Sequence, residues 1–452
     1  MILTTLEEFF KMGPGPSSSH TMGPMRITRD FYRRLEELPD AVLRQATGIR
    51  VELLGSLSAT GKGHGTDRAA LAGLLGRSPA DCEPAFLDAI AAHPEREYDV
   101  TIGPAALRVS MKDIVWGEML GNFPHPNTIR VHLLGGDASL FEMEYYSVGG
   151  GFIEWKGYQA PEKGTPAYPY STMKELQAHV LESGLGLPAV MLANELAVSG
   201  KTETEVRAHL DKVKRVMLQL VEGGLKAEGV LPGPIGLQSK AKALFDNAMR
   251  GDKAWMDRST GILASFAMAA AEENARGRVI VTAPTAGAAG VMPGVVRGYH
   301  DYRPMSDTAF HDAFLAAAAI GYLCKHNATL AGAEGGCQAE IGVASAMAAA
   351  FIVQASGGNV RQVANAAESA LEHHLGLTCD PVEGYVQVPC IERCAFGAIK
   401  AHAAACITMD AEEKRHRVDL DTCIAAMAMT GRDMNAKYKE TSTGGLAALV
   451  QC

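Results

Sequence analysis

Residues 155–171, WKGYQAPEKGTPAYPYS, separate two regions of the chain that follow different hydrophobic patterns. Prolines at 161, 166 and 169 stand among polar residues, which is typical of a linker. Apolar residues alternate with polar ones before this segment, and helical periods follow it. We therefore predict an α+β domain over residues 1–160, a linker over 161–171 and an all-helical domain over 172–452.

The N-terminal region contains three segments that indicate β-strands. In FEMEY at 141–145 the large apolar side chains share one face and the glutamates share the other. Ile49–Leu53 alternates in the same way, and Thr128–Leu134 is a third candidate. A helix is predicted between them at Asp67–Leu75. This mixture is the basis of the α+β assignment.

The second region is rich in alanine and dominated by helical spacing of apolar residues. The predicted long helices are Thr202–Leu225, Gly261–Ala275, Asp307–Leu330, Glu340–Val353 and Ile391–Met409. The stretch from Ile341 to Val360 carries no charge, but Ala, Gly and Ser dominate it and Gln354 interrupts it. We predict a buried core helix there, and no membrane span.

The charge balance and the number of cysteines argue against a nucleic-acid-binding protein and against a secreted one. The 42 Lys+Arg and 51 Asp+Glu give a net charge of −9, without a block of like charge, which disfavours a nucleic-acid partner. Glu7 and Glu8 stand where a secretory signal needs basic residues. Nine cysteines in such a chain favour a reducing compartment, so we expect a cytoplasmic protein.

Two Gly/Pro-marked segments are candidates for anion binding. In Gly13–Thr21, a turn presents Ser17, Ser18, Ser19 and His20 just before a predicted helix. Hydroxyls and free N–H groups at a helix start suit a carboxylate or phosphate, although a flexible loop with a serine cap is the alternative. Thr282–Gly287, with Thr285 inside it, fits either a backbone anion nest or a strand-to-helix turn.

The segment Thr60–Asp67, TGKGHGTD, predicts a loop with two functional side chains. Three glycines remove bulk around Lys62 and His64 and permit a ligand to approach both. The spacing does not fit a dinucleotide-binding fingerprint. A tight turn with a solvent-exposed histidine remains the alternative.

The cysteines do not form any Cys-x-x-Cys pair, which excludes zinc ribbons and thioredoxin-like motifs. Cys337, Cys379 and Cys390 lie at Gly/Pro-marked junctions, where three thiolates are able to hold an iron–sulfur cluster with one iron open. For each cysteine taken singly, the alternative is a small buried apolar residue.

Seven segments together resemble the bacterial iron–sulfur-dependent L-serine dehydratases of the single-chain form. They span nearly the whole chain and keep the order of that family. The segments are GPSSSHTMGPM at 15–25, GSLSATGKGHGTD at 55–67, YYSVGGGFI at 145–153, EGVLPGP at 228–234, GCQAEIGVA at 336–344, GLTCDPVEGYVQVPCIER at 376–393 and MNAKYKETSTGGLA at 434–447.

The resemblance implies a fold, a cofactor and a reaction. The N-terminal domain is expected to be similar to allosteric serine-binding domains, and the helical domain to be catalytic. Cys337, Cys379 and Cys390 are expected to hold a 4Fe-4S cluster. The substrate is expected to be L-serine, converted to pyruvate and ammonia by a homodimer.

Elementary chemistry then suggests roles for the remaining candidates. The open iron activates the hydroxyl of serine, and a neutral imidazole removes the α-proton. We assign the base to His64, with His20 as the rival. The serines of 17–19 and Thr285 are expected to bind the substrate, and Lys62 to stabilise developing carboxylate charge.

Two departures from the family pattern bear on specificity. The usual Ala-Pro-Thr-Asn-Gly-Ala-Cys-Gly has alanine at Ala286 and Ala289 here, and the usual Ile-Glu-Arg-Asn ends in Cys394. Cys394 lies four residues after Cys390, which makes it an alternative cluster ligand if a helix begins there. A changed substrate, such as threonine, is one consequence to test.

The last residue, Cys452, carries both a thiol and the terminal carboxylate, so it resembles serine with sulfur in place of oxygen. We hypothesise that it caps the open iron in the resting state; a frayed terminus is the alternative.

Two other classes of function compete with the lyase. A pyridoxal-phosphate dehydratase performs the same reaction, but Gly149–Gly151 with Lys62 is a poor fit to its phosphate loop and Schiff-base lysine. A serine sensor would use the cluster only as a structural element.

Overall fold

The structure is a computed structural model that describes residues 1–411 and 416–450. The strands are β1 (Met12–Pro14), β2 (Gly48–Leu53), β3 (Tyr98–Ile102), β4 (Ala105–Val109), β5 (Ile114–Trp116), β6 (Thr128–Gly135), β7 (Ala138–Ser147), β8 (Ile153–Trp155) and β9 (Val279–Val281). The helices are α1 (Leu6–Phe9), α2 (Gly23–Glu36), α3 (Asp40–Leu43), α4 (Ser56–His64), α5 (Thr66–Leu74), α6 (Pro84–Ala92), α7 (Met173–Ser183), α8 (Leu187–Ser199), α9 (Glu203–Lys226), α10 (Ala241–Ala248), α11 (Trp255–Ala275), α12 (Val291–Tyr302), α13 (Asp307–Asn327), α14 (Gly332–Gly335), α15 (Ile341–Ala355), α16 (Val360–Glu372), α17 (Cys390–Asp410), α18 (Leu420–Asp433) and α19 (Leu446–Leu449). A π-helical turn lies at Ser18–Met22, and 3-10 turns lie at Met111–Asp113, Cys337–Ala339, Val382–Gly384 and Ala436–Tyr438.

A five-stranded sheet organises the N-terminal region, with the strand order β5-β2-β6-β7-β8. β2 is parallel to β5, and the other neighbours are antiparallel. The predicted strands are confirmed as β2, β6 and β7. Their alternation places Ile49, Val51 and Leu53 in the core, where α2 and α5 cover one face of the sheet. The α+β prediction for this region is therefore confirmed.

The C-terminal region is helical around α15, whose first thirteen residues, 341–353, are all buried. Alanines dominate its surface and allow α13, α16 and α17 to pack closely against it. The stretch Cys337–Ala355 is long and apolar enough to cross a membrane, but 94% of it is buried inside the protein. The prediction of a core helix is confirmed.

The N-terminal segment joins the two regions. Phe9 and Phe10 pack in the helical core against Tyr322 and Phe314, at ring-centroid distances of 5.0 and 5.9 Å. β1 pairs with β9 in antiparallel register. The chain crosses to the sheet region only after this pairing, and the serine-rich segment therefore lies between the two cores.

Candidate active site

A small cavity lies where the serine-rich segment meets the helical region. It brings together seven residues singled out from the sequence, although they lie far apart along the chain. Its wall consists of Ser17, Ser18, Ser19, His64, Gly287, Cys337, Glu340, Ile341, Cys379, Pro381, Val386, Cys390 and Glu440.

The three serines lie in a helical turn and not in the flexible loop that was the alternative interpretation. Ser17 caps the π-helical turn, where its Oγ accepts a hydrogen bond from the His20 N–H at 3.0 Å. Ser18 Oγ accepts from the N–H of Ala286 at 3.3 Å, so its own hydroxyl proton is left for a ligand. All three serines are buried. The turn therefore places three hydroxyl-bearing residues in the cavity wall, at the start of a helix.

His64 lies at the end of a helix, which corrects the predicted loop. α4 runs through the whole GKGH segment, and only Gly65 adopts a left-handed conformation, with φ of 62°. Gly61 and Gly63 serve close packing instead: a Cβ on them would lie 2.6 Å from the Trp116 ring and 2.5 Å from the Gly384 carbonyl oxygen. The glycines therefore let α4 bring His64 against the cysteine loops.

Hydrogen bonds fix the proton positions on both histidines. His64 Nδ1–H donates to the Thr60 carbonyl at 2.8 Å, so its Nε2 carries the lone pair. Ser56 Oγ donates to the Glu440 carbonyl at 2.6 Å and must therefore accept at 3.1 Å from His20 Nε2–H. His20 Nδ1 then accepts from Ser19 Oγ at 2.9 Å. Both nitrogens of His20 are engaged, whereas His64 Nε2 faces the cavity.

Burial keeps both imidazoles neutral. It lowers the pKa of His64 to about 4. Burial and then the neighbouring His64 lower the pKa of His20 well below its usual range. The two rings are 4.5 Å apart between centroids, so a second proton on the pair is unfavourable. A neutral base is therefore available at physiological pH.

Two buried carboxyl groups also face the cavity. Glu440 Oε1 lies 3.5 Å from His20 Nδ1 and 3.8 Å from His64 Nε2. Its Oε2 is buried and has no hydrogen-bond partner in the described part of the chain. Thr285 Oγ1 donates to Glu340 Oε2 at 3.0 Å. Burial, and for Glu440 also the nearby Glu340, raise both pKa values: to about 7 for Glu340, and well above the usual range for Glu440.

The three predicted cysteine ligands come from separate elements and meet at the cavity. Cys337 opens a 3-10 turn, Cys379 follows a loop and Cys390 is the first residue of α17. The hydrogen bond with Cys337, and then burial, raise the pKa of the Cys379 thiol well above its usual range. Burial and then Cys337 do the same for Cys390. Close, buried thiols of this kind need a bound cation to become thiolates.

The cysteine loops are held in place by ion pairs and by the C-terminal segment. Arg393 NH2 lies 3.0 Å from Asp380 Oδ1, and its NH1 donates to the Thr378 carbonyl at 2.7 Å. Cys379 N–H donates to the Tyr438 carbonyl at 2.8 Å, and Glu440 N–H donates back to the Cys379 carbonyl at 2.8 Å. One ligand atom each from Glu340, Cys379 and Glu440 lies within 4.8 Å of the others, a set able to hold a metal ion.

Four sequence candidates lie outside the cavity wall. Lys62 is exposed, with its ammonium 5.9 Å from the centroid of the Trp116 ring. His20 and Thr285 stand behind the wall and contact Ser19 and Glu340. Cys394 Sγ lies 3.5 Å from the Gly287 carbonyl oxygen. Cys452 lies outside the described residues.

Sequence reasoning missed the two carboxyl groups. Glu340 stands three residues after Cys337, and Glu440 lies in the segment MNAKYKETSTGGLA, which was used only for the family resemblance. The carboxylate three residues after Cys337 is the signal that was available for Glu340, whereas the segment of Glu440 contains no cysteine. Glu340 and Glu440 are a hundred residues apart in the sequence, and the fold brings them to the same cavity.

Comparison with known proteins identifies the family of the chain. The family described as serine dehydratase beta chain matches residues 5–158, and the family described as serine dehydratase alpha chain matches residues 182–447. The chain belongs to the serine dehydratase family. The alpha and beta parts are joined here in one polypeptide, and residues 159–181 lie between the two matched regions.

Full-length relatives carry the same name. The chain is 42% identical to L-serine dehydratase 1 of Escherichia coli K12, with 100% of both chains covered. It is 43% identical to L-serine dehydratase TdcG of the same organism and 42% identical to L-serine dehydratase of Streptomyces coelicolor, each covering 98% of this chain and 99% of the relative. The resemblance inferred from the sequence motifs is confirmed.

Proposed function

We propose that this chain is an L-serine dehydratase that converts L-serine to pyruvate and ammonia. The observation that carries the proposal is the convergence on one cavity of three buried cysteines, a neutral imidazole with a free Nε2, and a turn of serines. The names of the full-length relatives support the choice of serine. Homodimer formation and a cytoplasmic location remain predictions.

The serine turn is proposed to bind the substrate carboxylate. Ser18 offers its hydroxyl proton, because Ser18 Oγ already accepts from Ala286 N–H. The turn also begins a helical segment, and the partial positive charge of a helix start favours an anion. A carboxylate held here directs the α-carbon toward His64.

His64 is proposed to remove the α-proton through Nε2. The Thr60 carbonyl holds the tautomer, and burial keeps the ring neutral. Once His64 is protonated, its Nε2–H faces Glu440 Oε1 at 3.8 Å, an oxygen whose partial or full negative charge favours the imidazolium. The aminoacrylate left after loss of water tautomerises to an imine and hydrolyses without further enzyme chemistry.

Glu440 is proposed to receive the ammonium group of the substrate. L-serine binds as a zwitterion, so a cavity that holds its carboxylate also needs an acceptor for three N–H donors. Glu440 Oε2 is buried and unpartnered in the described structure, which leaves it available for this bond. Substrate binding would thereby pair an otherwise isolated buried group.

Cys337, Cys379 and Cys390 are proposed to hold a 4Fe-4S cluster. Three soft sulfur donors on one buried wall fit such a group and leave one iron without a protein thiolate. When bound, the cluster supplies a Lewis acid for the serine hydroxyl, which is otherwise a poor leaving group. Arg393, which lies beside the three thiols, offsets part of the negative charge of a cluster with thiolate ligands.

The C-terminal cysteine is proposed to cap this site in the resting state. Leu446 N–H donates to Asp380 Oδ2 at 2.7 Å, which ties the C-terminal segment to the loop of Cys379. Deletion of Cys452 should alter the resting cluster spectrum or its sensitivity to oxygen. An unchanged spectrum with unchanged sensitivity would reject the cap.

The direct test is pyruvate formation from L-serine by anaerobically purified, cluster-reconstituted protein without pyridoxal phosphate. We expect turnover that is lost in air and restored by reconstitution. Turnover that requires pyridoxal phosphate would reject the mechanism. A loaded cluster without pyruvate would favour a sensor, and threonine turnover in place of serine would point to Ala286 and Cys394.

A further inference from the structure

A second and larger cleft lies beside the N-terminal segment, with a volume of about 1220 Å³. Residues 5–12, the start of α2, the strand β8 and the linker form one side, and the ends of α8 and α9 form the other. It shares no lining residue with the cavity that contains Ser17 and His64. None of the site candidates from the sequence lies in it.

Four basic side chains gather at the floor of this cleft. Lys11, Arg26 and Lys163 line it, and Lys325 lies behind Phe152. The ammonium groups of Lys11 and Lys325 are 3.1 and 4.3 Å from the centroid of the Phe152 ring. Two of the four cations therefore lie over one aromatic ring, and Arg26 contacts the carbonyl of the preceding residue, Gly151.

Carbonyl oxygens, rather than carboxylates, hold two of these cations. Lys11 Nζ donates to the carbonyls of Glu8 and Gly150, the latter at 3.0 Å. Arg26 donates to the Gly151 carbonyl through one nitrogen, which leaves most of its guanidinium donors free.

In the described part of the chain, the four cations have one carboxylate within 4.0 Å; Glu7 and Asp30 at the cleft pair with Lys201 and Arg34, and Glu162 also lines it. Glu8 forms an ion pair with Lys163. In the part of the chain that the structure describes, Lys11, Arg26 and Lys325 have no carboxylate oxygen within 4.0 Å. Burial, then the charges of Arg26 and Lys325, lower the pKa of Lys11. Mutual repulsion of half-buried cations destabilises the free protein unless an anion relieves it.

We propose that this cation cluster binds a small multivalent oxyanion, the chemistry shared by inorganic phosphate and small polycarboxylates. The inner charges of Lys11 and Arg26 provide the binding site. Lys212 at the opposite side of the cleft adds attraction for an approaching anion. A multivalent ligand fits because three cations lack a carboxylate partner. The site is separate from the serine chemistry and does not depend on it.

Isothermal titration of the full-length protein, without serine and at constant ionic strength set by chloride, tests the proposal. Inorganic phosphate is one arm and citrate is the other. We expect saturable binding of phosphate, citrate or both. The anion with the lower Kd shows whether the site prefers a phosphate or a polycarboxylate. Lys325→Met and Arg26→Met should each raise that Kd about tenfold. Lys112→Met is the matched control, because Lys112 is exposed and outside the cleft, and it should leave the Kd unchanged.

Thermal unfolding separates a ligand site from a purely structural cluster. In buffer without multivalent anions, Lys325→Met should not lower the unfolding midpoint, since among the described residues its ammonium has one hydrogen-bond partner, Thr4 Oγ1 at 3.4 Å. It should also lose most of the increase that phosphate or citrate causes in the unchanged protein. Absence of saturable binding in both arms, or equal binding by both cleft variants and the control, would overturn the proposal.

Discussion

His64 and His20 differ in what their nitrogens are free to do. Both are buried and neutral, but in His20 both ring nitrogens form hydrogen bonds, Nδ1 with Ser19 and Nε2 with Ser56. In His64, Nδ1 donates a hydrogen bond to the Thr60 carbonyl, and Nε2 keeps its lone pair for the substrate. The structure therefore supports the assignment of the base to His64 by the hydrogen bonds of each ring and not by position alone.

Replacement of each histidine by asparagine tests this assignment. We expect His64→Asn to lower kcat/KM by about 10²–10⁴, because a positioned general base contributes that much. His20→Asn should lower it less, since its effect passes through Ser19 and Ser56. Cluster absorbance should stay intact in both variants. A larger loss at His20 would reverse the assignment.

The pH profile gives an independent check. The base must be neutral, and burial lowers the pKa of His64 to about 4. As pH falls from about 8 to about 6, kcat/KM should therefore stay level with respect to this group and decline only near the lowered pKa. An acid limb with an apparent pKa near the usual histidine value of about 6.5 would contradict the buried neutral base.

Glu440→Gln tests recognition of the ammonium group. The amide keeps the size of the side chain but cannot ionise to pair with the substrate ammonium group, so KM for L-serine should rise at least about tenfold. Inhibition by 3-hydroxypropionate, which is serine without its amino group, should change little. Glu392→Gln, an exposed glutamate outside the cavity, is the control. Equal weakening of both ligands by Glu440→Gln would reject the role.

Among the elements, α4 is one where the sequence predicted the functional residue but not the local structure. The segment TGKGHGTD correctly identified His64, but its glycines indicated a loop. In a loop, Lys62 and His64 are able to face the same ligand; on a helix, residues two apart point in different directions. Lys62 is accordingly exposed while His64 faces the cavity. Glycine is needed at these positions because Trp116 and Gly384 pack against them, and the sequence alone does not predict those contacts.

The strands and long helices were predictable because their apolar periods match one buried face. β2, β6 and β7 and the long helices lie within a few residues of the predicted limits, except that α11 begins at Trp255 and α13 ends at Asn327. Glu340 and Glu440 were not predictable as a pair, since nothing in their spacing relates them. The backbone pairing of Cys379 with the segment around Lys439 helps to place Glu440 at the cavity that Glu340 also lines.

Gly63→Ala tests the packing of α4. The new Cβ would lie 2.5 Å from the Gly384 carbonyl oxygen, so we expect a loss of about 1–3 kcal/mol in the free energy of unfolding and reduced turnover. Gly298→Ala in α12 meets no atom within 4 Å and should stabilise by up to about 1 kcal/mol. Chemical unfolding of both variants measures this difference. Equal effects at the two glycines would contradict the close packing.

At the scale of the molecule, the site exists only where the two regions meet. The serine turn follows β1, which pairs with β9 of the helical region, and His64 ends a helix of the sheet region. The cysteines come from three places in the helical region, and Glu440 arrives from the C-terminal segment. Joining the alpha and beta parts in one chain keeps these groups at a fixed stoichiometry.

The proposed reaction requires that Cys337, Cys379 and Cys390 hold one cluster beside the serine turn and His64. Iron and inorganic sulfide bound per chain after anaerobic reconstitution test it most directly, in Cys379→Ala and in the matched variant Cys324→Ala. Cys324 is equally buried but lies on α13, away from the cavity. We expect Cys324→Ala to retain the full amount and Cys379→Ala to lose most of it. Full retention of iron and sulfide by Cys379→Ala would contradict the account.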